Sequence, residues 1–298
     1  MNSVANRGFF RTVARIGVIR LFVMGFLLVL GLGLLMAFHF EYGQKHLAPT
    51  FDTAATLTLC GVLAGLYALL VRLFEGRWPR ELALKPGAGF AGLGVLIGFG
   101  LFCAVYAILT ILDVVSWGGF RGFSSTEEMV VMATIAGVGE ELIFRGVLFR
   151  VVEDSLGTTI SLIVSAVLFG LMHSASPGTF SVNVNTVAIA LEAGLMLAAA
   201  YAWSRNLWLP IGIHFAWNFT EGGVFGAVVS GEHANGIFIV NFSKSASTLI
   251  TGGAFGPEAS VVTVIVCLAL AAVFLIAAWR AGRWRKLTFR VMLDRGAV

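Results

Sequence analysis

Long apolar stretches alternate with short polar breaks along most of the chain, and eight of them approach the length that crosses a bilayer as helix. They cover residues 20–40, 54–73, 88–112, 128–149, 158–175, 183–204, 207–230 and 259–280. About 20 apolar residues rising 1.5 Å each span the hydrocarbon layer. The fifth stretch is short and contains His173, and the seventh contains Pro210 and His214. This pattern predicts an all-α, polytopic transmembrane helix bundle of about eight spans, with residues 1–298 as a single membrane domain. The longest connections are 72–87 and 231–258. The second is rich in Gly and Ser, holds Pro257, and reads as flexible filler in preference to a lid or re-entrant segment. No internal repeat or inverted pair of broken helices suggests a secondary transporter.

Composition agrees with a membrane setting. Of the residues, 58% are hydrophobic and only 12% are charged, about half the charged share of soluble domains. The basic residues then orient the spans. With the N-terminus in the cytoplasm, Arg7, Arg11, Arg15, Arg20, Arg72, Arg77, Arg80, Lys85, Arg145, Arg150, Arg205, Arg280, Arg283, Arg285, Lys286, Arg290 and Arg295 all fall on the cytoplasmic side. Lys45, Arg121 and Lys244 are left on the other. The positive-inside bias therefore predicts both termini in the cytoplasm. Basic residues that flank apolar spans read as topology and contact with anionic lipid, so the lipid bilayer is an expected partner and nucleic acid is not.

The first apolar run is too long for a signal-peptide core and lacks a small-x-small cleavage site, so it reads as a membrane anchor. Cys60, Cys103 and Cys267 all lie in apolar stretches without metal-ligand spacing and read as packing residues. Gly61/Gly65, Gly94/Gly98 and the Ala190/Gly194/Ala198 stripe predict close helix seams.

Polar groups interrupt three of the stretches. Residues 139–146 read Gly-Glu-Glu-Leu-Ile-Phe-Arg-Gly, residues 169–173 Phe-Gly-Leu-Met-His, and residues 214–218 His-Phe-Ala-Trp-Asn. Carboxylates, an arginine and histidines at membrane depth are costly and mark a functional site by default. Glu141 and Arg145 share a helical face and can neutralise each other, which leaves Glu140 as the reactive carboxylate. Helical rise puts Glu140 about 15 Å from Arg150, and His214 and Asn218 about 10 and 16 Å from Leu207. His173 comes out deeper, about 22 Å from Thr158, so the fifth helix must tilt or begin late. One cavity holding Glu140, His173, His214 and Asn218, open toward the cytoplasm, is expected. Glu192, alone in the sixth stretch, reads as a group that hydrogen-bonds a neighbouring helix.

Glu-Glu-x-x-x-Arg, Phe-x-x-x-His and His-x-x-x-Asn, in this order on successive spans, resemble the CPBP family of intramembrane proteases. That family includes Ras-converting CAAX endopeptidases and bacterial abortive-infection and bacteriocin-immunity proteins. The likeness covers about residues 128–220, the expected catalytic core, and is helped by Phe144-Arg145-Gly146 and by the Leu207-Trp208-Leu209-Pro210 run. It implies peptide-bond hydrolysis of a membrane-associated or CAAX-like peptide or protein, with Glu140, Glu141, Arg145, His173, His214 and Asn218 in the catalytic set.

Two mechanisms fit. In one, Glu140 and His173 activate water while His214 and Asn218 stabilise the oxyanion, with no cofactor. In the other, His173, His214 and Glu140 hold Zn²⁺ with one position left for water. The rarity of Asn as a zinc ligand and the lack of His-Glu-x-x-His favour the first. A non-proteolytic immunity or binding protein that keeps the polar site is the alternative function, and a proton-coupled transporter or channel a third. A chain this compact and rich in Ala and Gly suggests a bacterial plasma membrane.

Overall fold

A computed structural model describes residues 17–123, 126–176, 179–180 and 183–287; Arg7, Arg11, Arg15, Arg290 and Arg295 lie outside the described residues. Among the described residues there are eight helical passes: α1 Gly17–His46, α2 Pro49–Glu75, α3 Leu84–Ile111, α4 126–156, α5 158–172, α6 Val184–Ser204, α7 208–224 and α8 Val261–Arg280. Six helical stretches among the described residues are long and apolar enough to cross a membrane, and the chain is an integral membrane protein. The count reaches eight for two reasons. The stretch Thr126–Met172 breaks at Gly157, whose φ of 80° and ψ of 173° are not helical. The seventh pass, 208–224, is too short to count among those six.

Gly157 is required there on two counts. Positive φ suits a residue without Cβ, and a Cβ would lie 2.6 Å from the Lys286 carbonyl oxygen. The break turns the chain from α4 into α5 against the segment after α8, where Thr158 N–H donates to Arg285 O at 3.1 Å.

Arg20, Arg77, Arg150, Arg205 and Arg285 gather with acids at one end of the bundle. Arg150 makes a two-pronged contact with Glu75 at 2.7 Å, Arg77 reaches Glu75 and Glu81, and Arg205 pairs with Glu153. The Tyr67 hydroxyl lies 2.6 Å from Glu81 Oε1 and 3.0 Å from Gly146 O, two acceptors that share its one proton, which ties α2 to α4 beneath this layer.

Helix seams follow the small residues in two of the three expected places. At Gly94 and Gly98 a Cβ would lie 2.4 Å from Leu209 O and from Ile213 O, so α3 and α7 touch backbone to backbone. Gly194 meets Ala166 and Gly170 meets Ala190, which joins α6 to α5. Gly61 and Gly65 have nothing within 4 Å of an added Cβ and form no seam among the described residues. The three cysteines are free, with Cys60 and Cys267 buried in helix contacts, as their apolar setting predicts.

The other end of the bundle carries structure that the apolar pattern does not predict. Strand β1 (Val115–Phe120) pairs antiparallel with β4 (Phe238–Phe242), with an irregularity between Trp117 and Gly119. A second, minimal hairpin joins β2 (Ala175–Ser176) to β3 (Thr179–Phe180). The segment 231–258 is therefore built. It contains β4, a helical turn at Thr248–Thr251 and a 3₁₀ turn at Pro257–Ala259, and Val229 and Glu232 form a bridge at its start. It is built structure and not the flexible filler that its composition suggests.

Candidate active site

The three motifs meet. Glu140, His173, His214 and Asn218 line one cavity of about 570 Å³, together with Phe169, Trp217 and residues of the segment after α7. Helix geometry delivers them. Glu140 sits at mid-length on α4, His173 closes the C-terminal end of α5, and His214 and Asn218 lie one turn apart on α7. Wider π-helical turns follow at Leu142–Phe149, directly after Glu141, and at Phe219–Val224, directly after Asn218. Such turns recur at functional sites because the extra residue re-aims the side chains around it.

Glu141 is fully buried, and its Oε1 accepts from Arg145 at 2.7 Å and lies 3.0 Å from His214 Nδ1. A carboxylate accepts only, so His214 donates from Nδ1 and its Nε2 is the nitrogen left for other partners. Arg145, also fully buried, reaches across to the carbonyls of Ala193 and Gly194 on α6 at 3.1 and 3.0 Å, and lies 4.8 Å from the Phe169 ring centroid. The pair thus does more than neutralise α4. It joins α4, α6 and α7 and fixes the His214 ring.

The second dyad is looser. His173 Nε2 lies 3.9 Å from Glu140 Oε2, and His173 Nδ1 lies 2.9 Å from the Phe169 carbonyl oxygen. That carbonyl can only accept, so Nδ1 carries a proton and Nε2 is the nitrogen that faces the carboxylate. Glu140 Oε2 is buried without a hydrogen-bond partner among the described residues. Among the described residues no three His, Cys, Asp or Glu side chains form a group that could hold a metal ion. As arranged here, Glu140, His173 and His214 do not fit a zinc ligand set.

Two expectations about surroundings are overturned. Glu192 bonds no neighbouring helix among the described residues, where both its oxygens are buried and unpartnered. The cavity does not open at the basic end either. Phe40, Glu128, Glu232, His233 and Asn235 line it and are exposed, and they belong to the end that bears β1 and β4. Measuring depth from the basic ends alone hid the reason. Between Glu140 and Arg150 the helix is packed solid by Leu142, Phe144, Val147 and Phe149, whereas His173 stands at the other end of its own helix.

Residues 122–220 match the family model described as type II CAAX prenyl endopeptidase Rce1-like. This chain is thus similar to that family over about a third of its length. It is also similar to the membrane-embedded CAAX protease MroQ of Staphylococcus aureus (strain USA300), at 24% identity over 159 residues, or 46% of this chain and 60% of that protein. The putative membrane peptidase YdiL of Bacillus subtilis (strain 168) is 23% identical over 210 residues, covering 66% of this chain and 82% of that one. The match to the first relative thus spans less than two thirds of its length. No solved structure matches significantly.

Three buried acids escaped the sequence reading of the site or lay outside its motifs: Glu192, Glu221 and Glu258. Glu258 lines the cavity, although it comes from beyond the matched segment. Burial raises its carboxyl above the usual range, while hydrogen bonds from Ser230 work the other way. A buried acid in a loop carries no helical spacing, so only its place after Gly256-Pro257 could have drawn notice.

Proposed function

We propose that the chain is an intramembrane endopeptidase that hydrolyses a peptide bond of a membrane-associated or CAAX-like substrate in a bacterial plasma membrane, with residues 128–220 as its catalytic core. The observation that carries this reading is the 3.9 Å approach of Glu140 Oε2, unpartnered among the described residues, to His173 Nε2 inside a cavity. Two acceptors at that distance suit one water that donates a hydrogen to each. Its oxygen lone pair is then free to attack a carbonyl carbon, and Glu140 takes the proton as the C–O bond forms.

The negative charge that develops on the carbonyl oxygen needs donors already in place. Asn218 offers its amide N–H, and His214 offers Nε2–H when it is imidazolium, with Glu141 beside it as counter-charge. The tetrahedral intermediate collapses as the C–N bond breaks, and Glu140 returns its proton to the leaving amine. A water is consumed, and an acid and an amine result. The water-activating scheme uses no metal.

The test is to incubate the protein in nanodiscs with a panel of membrane-anchored peptides and identify products by mass spectrometry. Complementary fragments, whose summed mass exceeds the parent by one water and which vanish with His173→Ala, are expected. Intact peptides throughout, with binding retained, would favour a recognition protein over a peptidase.

A further inference from the structure

The cavity has a wall that comes from outside the motif-bearing helices, and that wall is held in an unusual way. Ser230 has φ 50°, one of three non-glycine residues with positive φ among the described residues. A serine in the left-handed region is strained and stays there only if its surroundings fix it. The fixing group is Glu258, 4% exposed, whose Oε1 accepts from both the Ser230 N–H at 2.7 Å and the Ser230 hydroxyl at 2.8 Å.

Further bonds complete the clamp. Gly231 N–H donates to Phe255 O at 2.9 Å, and Glu232 N–H donates to Val229 O at 2.9 Å. Glu258 is itself anchored, because its N–H donates to Glu221 Oε1 at 3.1 Å. Glu221 stands on α7 three residues beyond Asn218. A continuous line of contacts therefore runs from the helix that bears His214 and Asn218, through Glu221 and Glu258, to the turn Val229–Glu232. Val229, Ser230, Glu232 and Glu258 all line the cavity that holds Glu140 and His173.

We infer that Glu258 is a positioning residue of this site, whose carboxylate fixes the turn Val229–Glu232 as the wall against which a peptide is held beside Glu140 and His173. The inference rests on the peptidase reading for its consequence, while the clamp itself is a matter of hydrogen bonds. What Ser230 needs from position 258 is an acceptor oxygen. Glutamine supplies one and alanine does not.

Amide hydrogen exchange across residues 228–236, in the full chain in nanodiscs, tests the clamp without any turnover. Glu258→Ala should speed exchange there by about tenfold or more, as expected when buried hydrogen bonds of this kind are lost, and Glu258→Gln should restore slow exchange. Equal exchange in wild type and Glu258→Ala would overturn the clamp. If Glu258→Ala fails to fold, Ser230→Ala decides: faster exchange supports the clamp, and no change overturns it. On a peptide that the wild type cleaves, Glu258→Ala should raise KM with kcat less affected, and Glu258→Gln should recover the wild-type KM. Faster exchange with unchanged KM and kcat would refute the positioning role. A wild type that cleaves no peptide would count against the peptidase reading, with the exchange result still deciding the clamp.

Discussion

Arg145 and Glu141 form a fully buried pair, and each has other work: Glu141 holds His214, and Arg145 holds two carbonyls of α6. Arg145→Ala leaves the Glu141 charge buried without its main partner, which typically costs about 3–5 kcal/mol. A thermal unfolding scan in detergent should register a large loss of stability for this variant. Asn218→Ala should behave differently. Asn218 faces the cavity, so the fold should survive while kcat falls by about 10²–10³, the usual effect of losing one oxyanion donor. Residues of the first kind were legible from i, i+4 spacing, and those of the second from polar groups stranded in apolar sequence. Glu258 and Glu221 were not, because what makes them matter is a contact between a loop and a helix that no local spacing encodes. Glu192 differs for a related reason: a lone acid in a span suggests a partner, and none is within reach among the described residues.

At the scale of elements, apolar run length was a good guide to all eight passes, since each must shield its own backbone from lipid. Small-residue spacing was a weaker one. Gly94/Gly98 and Gly61/Gly65 have the same pattern, yet only the first meets another backbone. Gly98→Val should therefore force α3 from α7 and cost about 1–3 kcal/mol or more, whereas Gly61→Val should leave the unfolding temperature nearly unchanged. Equal destabilisation by the two would contradict the assigned seam. The β1–β4 ribbon was invisible in the sequence because its strands are short, β1 carries Gly118 and Gly119, and more than a hundred residues separate the partners.

For the whole molecule, the ion pairs among Glu75, Glu81, Glu153, Arg77, Arg150 and Arg205 close one end, and the cavity opens at the other. If the basic end faces the cytoplasm, as the positive-inside bias predicts, an impermeant thiol reagent added to intact cells should label Glu232→Cys but not Arg80→Cys. Labelling of the second alone would reverse the orientation. The central claim is that Glu140 activates water for peptide hydrolysis. It is tested most directly by the single-turnover rate of a purified, metal-chelated preparation on a peptide that the wild type cleaves, compared with Glu140→Gln. Glutamine keeps the shape and cannot take the proton, so the rate should fall by about 10²–10⁴ while unfolding temperature and peptide binding are retained, and the wild type should keep its rate under chelation. Equal rates in wild type and Glu140→Gln, or loss of wild-type activity on chelation that returns with zinc, would contradict it.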